Sequence, residues 1–452
     1  MITLPYFGLL IVSLVIYWLI PRQWLRNIIL IVASYAFLYI VDKWSIAVVS
    51  GLTLFSYLFG HLIQRYPKKA YIHAIGVIGV LAALIVFKYL GFLTGIINSL
   101  SSFVIGLPSF EIKKLLLPLG ISYIVFKHIS YLTDIKWGLV KSGRFIDFLL
   151  YSSLFTIFVA GPIERFERFK PQVELHRIPF SWNNIDYGFM RIVFGLFKKL
   201  VLANWIGYFI NPVWQNPNHY SPGIGALGLI GFSCQIYFDF SGYSDIAIGS
   251  SRLFGIKIME NFNYPYLAPN ISQFWRRWHI SLSDWIRDYL FFPLSRIISK
   301  KIWRVFFVPV IAMSLCGLWH GAAWHFVIWG IWHGVGLAFF QSWNIGKRKR
   351  KNAATPSVAK LSAVLSVFVT FVFTTLGWCI FSNSGYSILL TIWKPNAYLA
   401  FILSIAFVIS ILYFASRRCW SRYSYRIVAV YILLFTLLLY CRVNTGFIYA
   451  NF

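Results

Sequence analysis

The chain has 452 residues, of which 59% are hydrophobic and only 12% are charged. Apolar stretches of about twenty residues recur from end to end, and no polar run is long enough for a separate soluble domain. This composition excludes an ordinary soluble enzyme. We therefore predict an all-α polytopic integral membrane protein with a single integral-membrane domain over residues 1–452.

The charge balance is strongly basic, with 41 Lys and Arg against 13 Asp and Glu and a net charge of +28. The basic residues cluster in short loops between apolar stretches, as in Arg22 with Arg26 and in the run 347–351. That is the positive-inside pattern of a multi-pass protein of the cytoplasmic (inner) membrane, with membrane lipids as its neighbours. We expect no nucleic-acid partner.

Taken in order, thirteen apolar segments are candidate membrane spans, and we expect about 11–13 transmembrane helices plus re-entrant or interfacial ones. They are 6–20, 27–41, 45–63, 71–92, 115–133, 145–163, 187–211, 223–250, 303–319, 322–343, 360–383, 396–415 and 427–441. Basic residues on both sides of 145–163 leave open whether that segment crosses or is re-entrant. A cytoplasmic basic loop, 346–358, is predicted to separate a core motif region, 235–343, from the last spans.

Four polar residues interrupt the apolar segments. Lys127 is predicted to snorkel toward the membrane surface, and His128 to be a hydrogen-bonded helix-packing residue. Asp239 and Asp245 lie on a helix rich in Ser and Gly. We expect both to form structural ion pairs with arginines of the central stretch 261–334.

The stretch 261–334 contains four of the nine histidines, two of the thirteen acids and the arginine pair Arg276–Arg277. Ionisable groups beside membrane spans indicate a functional site. His320 lies between Gly317 and Gly321, where the backbone is expected to approach a ligand closely. His279 follows Arg276 and Arg277, whose guanidinium groups suit a phosphate or a carboxylate.

Several chemistries fail on spacing. The motif HGAAWH lacks the carboxylate of a zinc HExxH site, and the five cysteines are scattered, so no metal site is predicted. No second span carries the histidine pair that stacked haems require, and no GxSxG nucleophile is present. What remains is a histidine that accepts the proton of an acceptor hydroxyl while that hydroxyl attacks an activated acyl group.

Six stretches resemble the membrane-bound O-acyltransferase family, and specifically its bacterial branch that acetylates alginate and related exopolysaccharides. They are LPLGISY (117–123), AGPIERF (160–166), QIYFDFSGYSDIAIGSSRLFGI (235–256), NFNYPYLAPNISQFWRRWHISLSDWIRDYLFFPL (261–294), GLWHGAAWHFVIWGIWHG (317–334) and FIYANF (447–452). The two long ones are highly specific.

The resemblance implies tilted helices around a central tunnel, with His320 as the essential histidine and His279 as the second one. His333 matches a further recurrent position, whereas His325 falls at a variable one. Arg276, Arg277, Trp278, Trp319 and His333 are candidate donor- or substrate-binding residues, and for the two arginines a snorkelling, lipid-facing role stays open as an alternative. The resemblance further implies acetyl-CoA or an acyl-carrier thioester as donor substrate, no bound cofactor, a polysaccharide acceptor and an extracytoplasmic partner protein.

We therefore predict a histidine-dependent O-acetyltransferase that moves acetyl groups across the membrane for an exported or cell-surface polysaccharide. Three alternatives stay open at this point. They are D-alanyl transfer to teichoic acid from a carrier protein, a non-catalytic channel or flippase for the donor or polymer, and a structural subunit of an export complex.

Overall fold

The computed structural model describes residues 4–104, 116–174, 178–347 and 356–382. Within these ranges every regular element is helical and no β-strand occurs, which confirms the all-α prediction. Apolar segments favour helices in lipid because a helix satisfies its backbone hydrogen bonds within one segment. The predicted spans 396–415 and 427–441, the motif 447–452 and most of the basic loop lie outside the described residues.

Sixteen α-helices follow one another in the described ranges. They are α1 (Leu4–Leu19), α2 (Gln23–Arg65), α3 (Ala70–Leu84), α4 (Leu90–Val104), α5 (Ile121–Lys136), α6 (Phe145–Ser153), α7 (Phe166–Val173), α8 (Trp182–Leu196), α9 (Asn204–Gln215), α10 (Pro222–Leu253), α11 (Ile271–Trp275), α12 (Ile280–Ile286), α13 (Phe292–Ile297), α14 (Lys301–His320), α15 (Trp324–Lys347) and α16 (Pro356–Phe381). Short π-helical turns continue α3 into α4, α8 into α9 and α12 into α13.

Six described helical segments are long and apolar enough to cross a membrane, which confirms a multi-pass protein. They are Gln23–Arg65, Ala70–Ser101, Trp182–Gln215, Pro222–Leu253, Lys301–His320 and Ser362–Phe381.

The residues group into two compact units. Unit 1 holds the described residues up to Ile192 with Ala247–Met259, and unit 2 holds Val193–Ile246 with the described residues from Glu260 onward. The single domain over 1–452 stays a prediction.

Two predicted spans, 27–41 and 45–63, are the two arms of α2. The helix is interrupted at Asp42, whose backbone is not helical (φ −158°, ψ 93°). The Asp42 carboxylate accepts hydrogen bonds from the backbone N–H of Trp44 and from the Ser45 hydroxyl, as an N-cap residue does for the helix that follows. The break therefore lies where the sequence placed the loop.

Segment 145–163 does not form a continuous spanning helix. Helix α6 has 9 residues, and at 1.5 Å per residue it covers only about 14 Å of the roughly 30 Å hydrocarbon layer. Turns follow it from Phe155 to Ala160. Of the two alternatives for this segment, the re-entrant one fits the structure.

In unit 1, Lys127 does not snorkel. Its side chain is buried, with 4% of the residue exposed. Its ammonium donates a hydrogen bond to the carbonyl oxygen of Tyr151 and lies 4.4 Å from the centre of that ring. The sequence prediction was wrong because the re-entrant segment packs against α5 and offers a buried acceptor. His128 is confirmed as a packing residue: its two ring nitrogens are hydrogen-bonded to Ser56 and Ser152 at 3.0 and 2.9 Å.

In unit 2, the acids of α10 form ion pairs, as predicted, but their partners are lysines. Lys199 pairs with Asp239, and Lys198 pairs with Asp245 at 2.6 Å. The π-helical turn Phe197–Ala203 contains both lysines. In such a turn, successive side chains depart from the spacing of about 100° that a regular α-helix has. The predicted partners, arginines of the central stretch 261–334, were wrong, because the lysines lie 40 and 47 residues before the aspartates with which they pair.

The Lys199–Asp239 pair leads to a stability prediction, because only 12% and 5% of the two side chains are exposed. Lys199→Met is expected to lower the stability of the chain by about 3–5 kcal/mol, since it leaves a buried carboxylate without its counter-ion. Adding Asp239→Leu should restore most of the loss. The apparent Tm of the detergent-solubilised protein measures both.

The comparison variant is Lys198→Met, because the side chain of Lys198 is 29% exposed while that of Asp245 is 8% exposed, so solvent screens this ion pair from the lysine side. Its effect should be clearly smaller. Equal losses of Tm in the two lysine variants would contradict the assignment of a buried, structurally important pair to Lys199.

Candidate active site

A tight helical hairpin carries His320 and His333. Helix α14 ends at His320, Gly321 is extended, and α15 begins at Trp324. A Cβ atom at Gly317 would overlap the carbonyl oxygen of Phe326, and one at Gly330 would overlap the carbonyl oxygen of Met313. Small residues of this kind let two helix backbones approach closely.

This packing corrects the sequence interpretation of the glycines around His320. They were expected to leave room for a ligand. Instead, α15 fills the space beside Gly317, and the ring of Phe326 lies where a Cβ of Gly321 would be. The glycines therefore place His320 against the aromatic side chains of α15.

His279 reaches the same region from the connection between α11 and α12. It is fully buried and has a left-handed backbone conformation (φ 42°, ψ 54°), which few non-glycine residues adopt. This conformation costs about 1–2 kcal/mol, so the surrounding contacts must maintain it. Its ring centre lies 4.8 Å from that of Phe240 and 6.2 Å from that of Trp319.

Two tryptophans connect the three histidines. Trp319 contacts His279 and lies 4.8 Å from His320, measured between ring centres. Trp329 lies 5.2 Å from His320 and 4.9 Å from His333. The structure thus brings His279, His320 and His333 into one aromatic cluster, although they come from three different helices or connections.

Several polar atoms in this cluster are buried without a hydrogen-bond partner among the described residues. They are both ring nitrogens of His279 and of His333, and the indole nitrogens of Trp275 and Trp329. A buried polar atom left unpaired costs about 1–3 kcal/mol. Such a concentration is typical of a site whose partner is a substrate or water.

Burial also determines the charge state of His279. Desolvation lowers its pKa from 6.5 to about 3. The imidazole is therefore neutral at physiological pH, and one of its two nitrogens is free to accept a proton or a hydrogen bond. A neutral ring is the form that proton acceptance or polarisation of a carbonyl group requires.

The two arginines of the motif have different surroundings. Arg276 is exposed and lines a cavity of 360 Å³ together with Trp275, Asp284, Arg287 and Gln341. Arg287 is engaged by Asp284 and Asp288 at 2.6 and 2.9 Å, whereas Arg276 has no ion pair in the part of the chain that the structure describes. Arg277 instead donates to the carbonyl oxygen of Leu267 at 3.3 Å.

The remaining predicted residues are also placed. Trp278 is almost fully buried and stacks on Phe274. It therefore packs within the aromatic cluster and does not line the cavity of Arg276. Trp319 lies between two histidines. His325 is half-buried, and its ring contacts the neighbouring Phe326. It is not in contact with the other three histidines, in agreement with its omission from the predicted site.

Sequence reasoning missed Trp275 and Trp329. Trp275 lines the cavity of Arg276, and its ring centre also lies 5.2 Å from that of His333. It therefore forms a wall between the cavity and the histidines. A signal was present, because Trp329 lies four residues before His333 and thus on the same face of its helix.

With this geometry established, comparison with known proteins identifies the family. Residues 136–385 match the sequence profile of MBOAT, the membrane-bound O-acyltransferase family. The match covers more than half of the chain and includes the whole histidine cluster. The chain belongs to the membrane-bound O-acyltransferase family. It is therefore an O-acyltransferase, and a channel or purely structural role is not retained.

Curated relatives from three activities are similar to this membrane-bound O-acyltransferase. The probable alginate O-acetylase AlgI of Azotobacter vinelandii is 36% identical over 81% of this chain and 71% of its own length. The peptidoglycan O-acetyltransferase of Helicobacter pylori is 30% identical over 80% and 71%. The teichoic acid D-alanyltransferase of Streptococcus thermophilus is 32% identical over 63% and 75%.

No group of three or more His, Cys, Asp or Glu side chains suited to a metal ion occurs within residues 4–104, 116–174, 178–347 and 356–382. The rings that meet in the cluster are imidazoles, indoles and phenyl groups. This set of groups suits acid–base chemistry on a neutral acyl group.

Proposed function

We propose that this acyltransferase transfers acetyl groups from a cytoplasmic thioester donor toward a polysaccharide that is exported or displayed at the cell surface. The observation that carries the proposal is the buried cluster of His279, His320 and His333 within the family-matched region. The relatives named as O-acetylases or O-acetyltransferases cover more of this chain than the D-alanyltransferases do.

In the proposed mechanism, His320 is the general base. Its imidazole accepts the proton of the acceptor hydroxyl while the hydroxyl oxygen attacks the carbonyl carbon of the thioester. The tetrahedral intermediate then collapses, the carbon–sulfur bond breaks, and the proton passes to the departing thiolate. His279, which is neutral, orients the acyl carbonyl or assists the proton transfer from the other side of Trp319.

The donor is acetyl-CoA or an acyl-carrier thioester, and the protein lies in the inner membrane. Since a polysaccharide acceptor lies beyond the membrane, we also propose an extracytoplasmic partner protein that completes the transfer. Arg276, at the cavity beside Trp275, is proposed to hold a phosphate of the donor.

Deletion of the gene tests the function. We expect the O-acetyl ester content of the cell's exported polysaccharide to fall to background and to return with the wild-type gene. Loss of D-alanyl esters from teichoic acid with unchanged acetyl esters would instead establish the second candidate, which the relatives of that activity support.

The two arginines offer a matched test of donor binding. Arg276→Ala is expected to raise the KM for acetyl-CoA about 10-fold, because one charge-assisted hydrogen bond contributes about 1.5 kcal/mol. Arg277→Ala should leave the KM unchanged, since its guanidinium bonds to the protein backbone. Initial rates of acetyl transfer in membranes, measured at varied acetyl-CoA, distinguish them. An unchanged KM in Arg276→Ala would contradict the assignment.

A further inference from the structure

The connection that contains His279 is paired with a second, extended segment of unit 2. The backbone N–H of Ile280 donates to the carbonyl oxygen of Asn261 at 2.9 Å, and the N–H of Asn263 donates to the carbonyl oxygen of Arg277 at 2.9 Å. These two bonds bracket Trp278 and His279. They resemble two rungs of a ladder on either side of the left-handed residue.

The side chain of Asn261 adds a second set of bonds on one side of His279. Its Oδ1 accepts from the Ser281 hydroxyl at 2.6 Å and from the Ser281 backbone N–H at 3.3 Å. Its Nδ2 donates to the Ser244 hydroxyl of α10 at 3.2 Å. Asn261 is fully buried. One residue therefore binds both residues that follow His279 and ties them to a spanning helix.

This arrangement explains how His279 retains its left-handed backbone. Its φ of 42° is one of only two positive values at non-glycine residues in the described part of the chain. The ring nitrogens of His279 have no partner among the described residues, so no bond from the imidazole holds it in place. The force that orients the ring must come from the backbone on either side and from packing against Phe240 and Trp319.

We infer that Asn261 is a positioning residue for acyl transfer, which holds His279 in its left-handed conformation and aims its free ring nitrogens at the acyl group. The inference rests on the proposed role of His279. Asn261 itself touches neither donor nor acceptor. A displacement of a reacting group by about 1 Å lowers a rate by about 100-fold, so loss of this anchor should mainly affect the maximal rate.

The test compares Asn261→Ala with Asn263→Ala in the full chain, in native membranes at matched protein levels. Asn263 contributes its backbone N–H to the pairing, whereas the residue is exposed, so its variant keeps the ladder and serves as control. We expect Asn261→Ala to lower the maximal rate with saturating acetyl-CoA about 100-fold with an unchanged KM. Asn263→Ala should behave as the wild type.

A second measurement does not depend on activity. Hydrogen exchange of the purified chain should become faster in the peptide around 278–283 of Asn261→Ala, and it should stay unchanged along α14. Ser281→Ala, which removes one hydroxyl donor, is expected to lower the maximal rate about 5-fold and serves if Asn261→Ala does not accumulate.

The outcomes distinguish the positioning role of Asn261 from the catalytic role of His279. A normal maximal rate in Asn261→Ala or Ser281→Ala, or uniformly faster exchange over all of unit 2, overturns the positioning role. Local exchange as expected, together with full activity of a variant without the His279 imidazole, leaves the positioning of His279 intact and removes the proposed catalytic role of His279 instead.

Discussion

His320→Ala is expected to reduce acyl transfer by about 10²–10⁴-fold at a normal level of membrane protein, because general-base catalysis contributes a factor of that size. His320 is 6% exposed, and its ring lies against those of Trp319, Trp329 and Phe381. The O-acetyl ester content of the exported polysaccharide, normalised to protein level, measures the loss.

The matched control is His325→Ala. This histidine lies five residues further on in the same hairpin, is half-buried and has no contact with the other histidines of the cluster. It should retain full transfer. Full acetylation by His320→Ala, or an equal loss in both variants, would show that His320 is not the general base.

The second large effect is expected at His279, where the backbone and the imidazole can be tested separately. His279→Gly removes the ring and relieves the strain of the left-handed conformation, whereas His279→Ala removes the ring and retains that strain. We expect both variants to lose about 100-fold or more in transfer rate. The alanine variant should be less stable than the glycine variant by about 1 kcal/mol, seen as a lower Tm, because only glycine relieves the left-handed strain.

The pH dependence provides a further check on His279. Since burial lowers its pKa to about 3, the imidazole stays neutral between pH 5 and 8, the range in which transfer rates would be measured. The unfolded chain, in contrast, binds a proton near pH 6.5. The contribution of His279 to stability is therefore complete above about pH 6.5 and decreases as the pH falls toward 3.

The lowered pKa of His279 predicts how the transfer rate and the Tm depend on pH. Titration of His279 should not lower the transfer rate near pH 6.5. Any acid limb of the pH–rate profile should therefore be the same in the wild type and in His279→Gly. The Tm difference between wild type and His279→Gly should shift against the wild type as the pH is lowered from 7 to 5. An acid limb that is lost with the imidazole would mean that His279 titrates in the folded protein near its ordinary pKa.

Much of the fold was predictable because a segment that crosses lipid must be apolar and must satisfy its backbone hydrogen bonds within itself, as a helix does. The apolar segments 27–41 and 45–63 were separated at the right place, since Asp42 is both a charge in an apolar run and an N-cap residue. Segment 145–163 was not resolved from the sequence. A re-entrant segment and a span have the same hydrophobic composition, and only the length of the helix, 9 residues, distinguishes them.

The partners of buried polar groups were predicted less well than their existence. That Asp239 and Asp245 would be paired follows from the cost of an isolated charge in an apolar region. Which cations pair with them depends on the packing of the helical segment that carries Lys198 and Lys199 against α10. Lys127 was misassigned for the same reason, because its buried acceptor belongs to a segment that is distant in sequence.

By itself, the sequence determined that this protein is helical and crosses the membrane several times, and it led to the prediction that the chemistry lies around His279, His320 and His333. Hydrophobic segment length and the cost of charge in hydrocarbon carry that information locally. Only the tertiary structure decided that Trp319 and Trp329 connect these histidines, that Arg276 and not Arg277 faces a cavity, and that Asn261 holds the left-handed backbone of His279. Those facts depend on close packing between segments far apart in the chain, which no local pattern encodes.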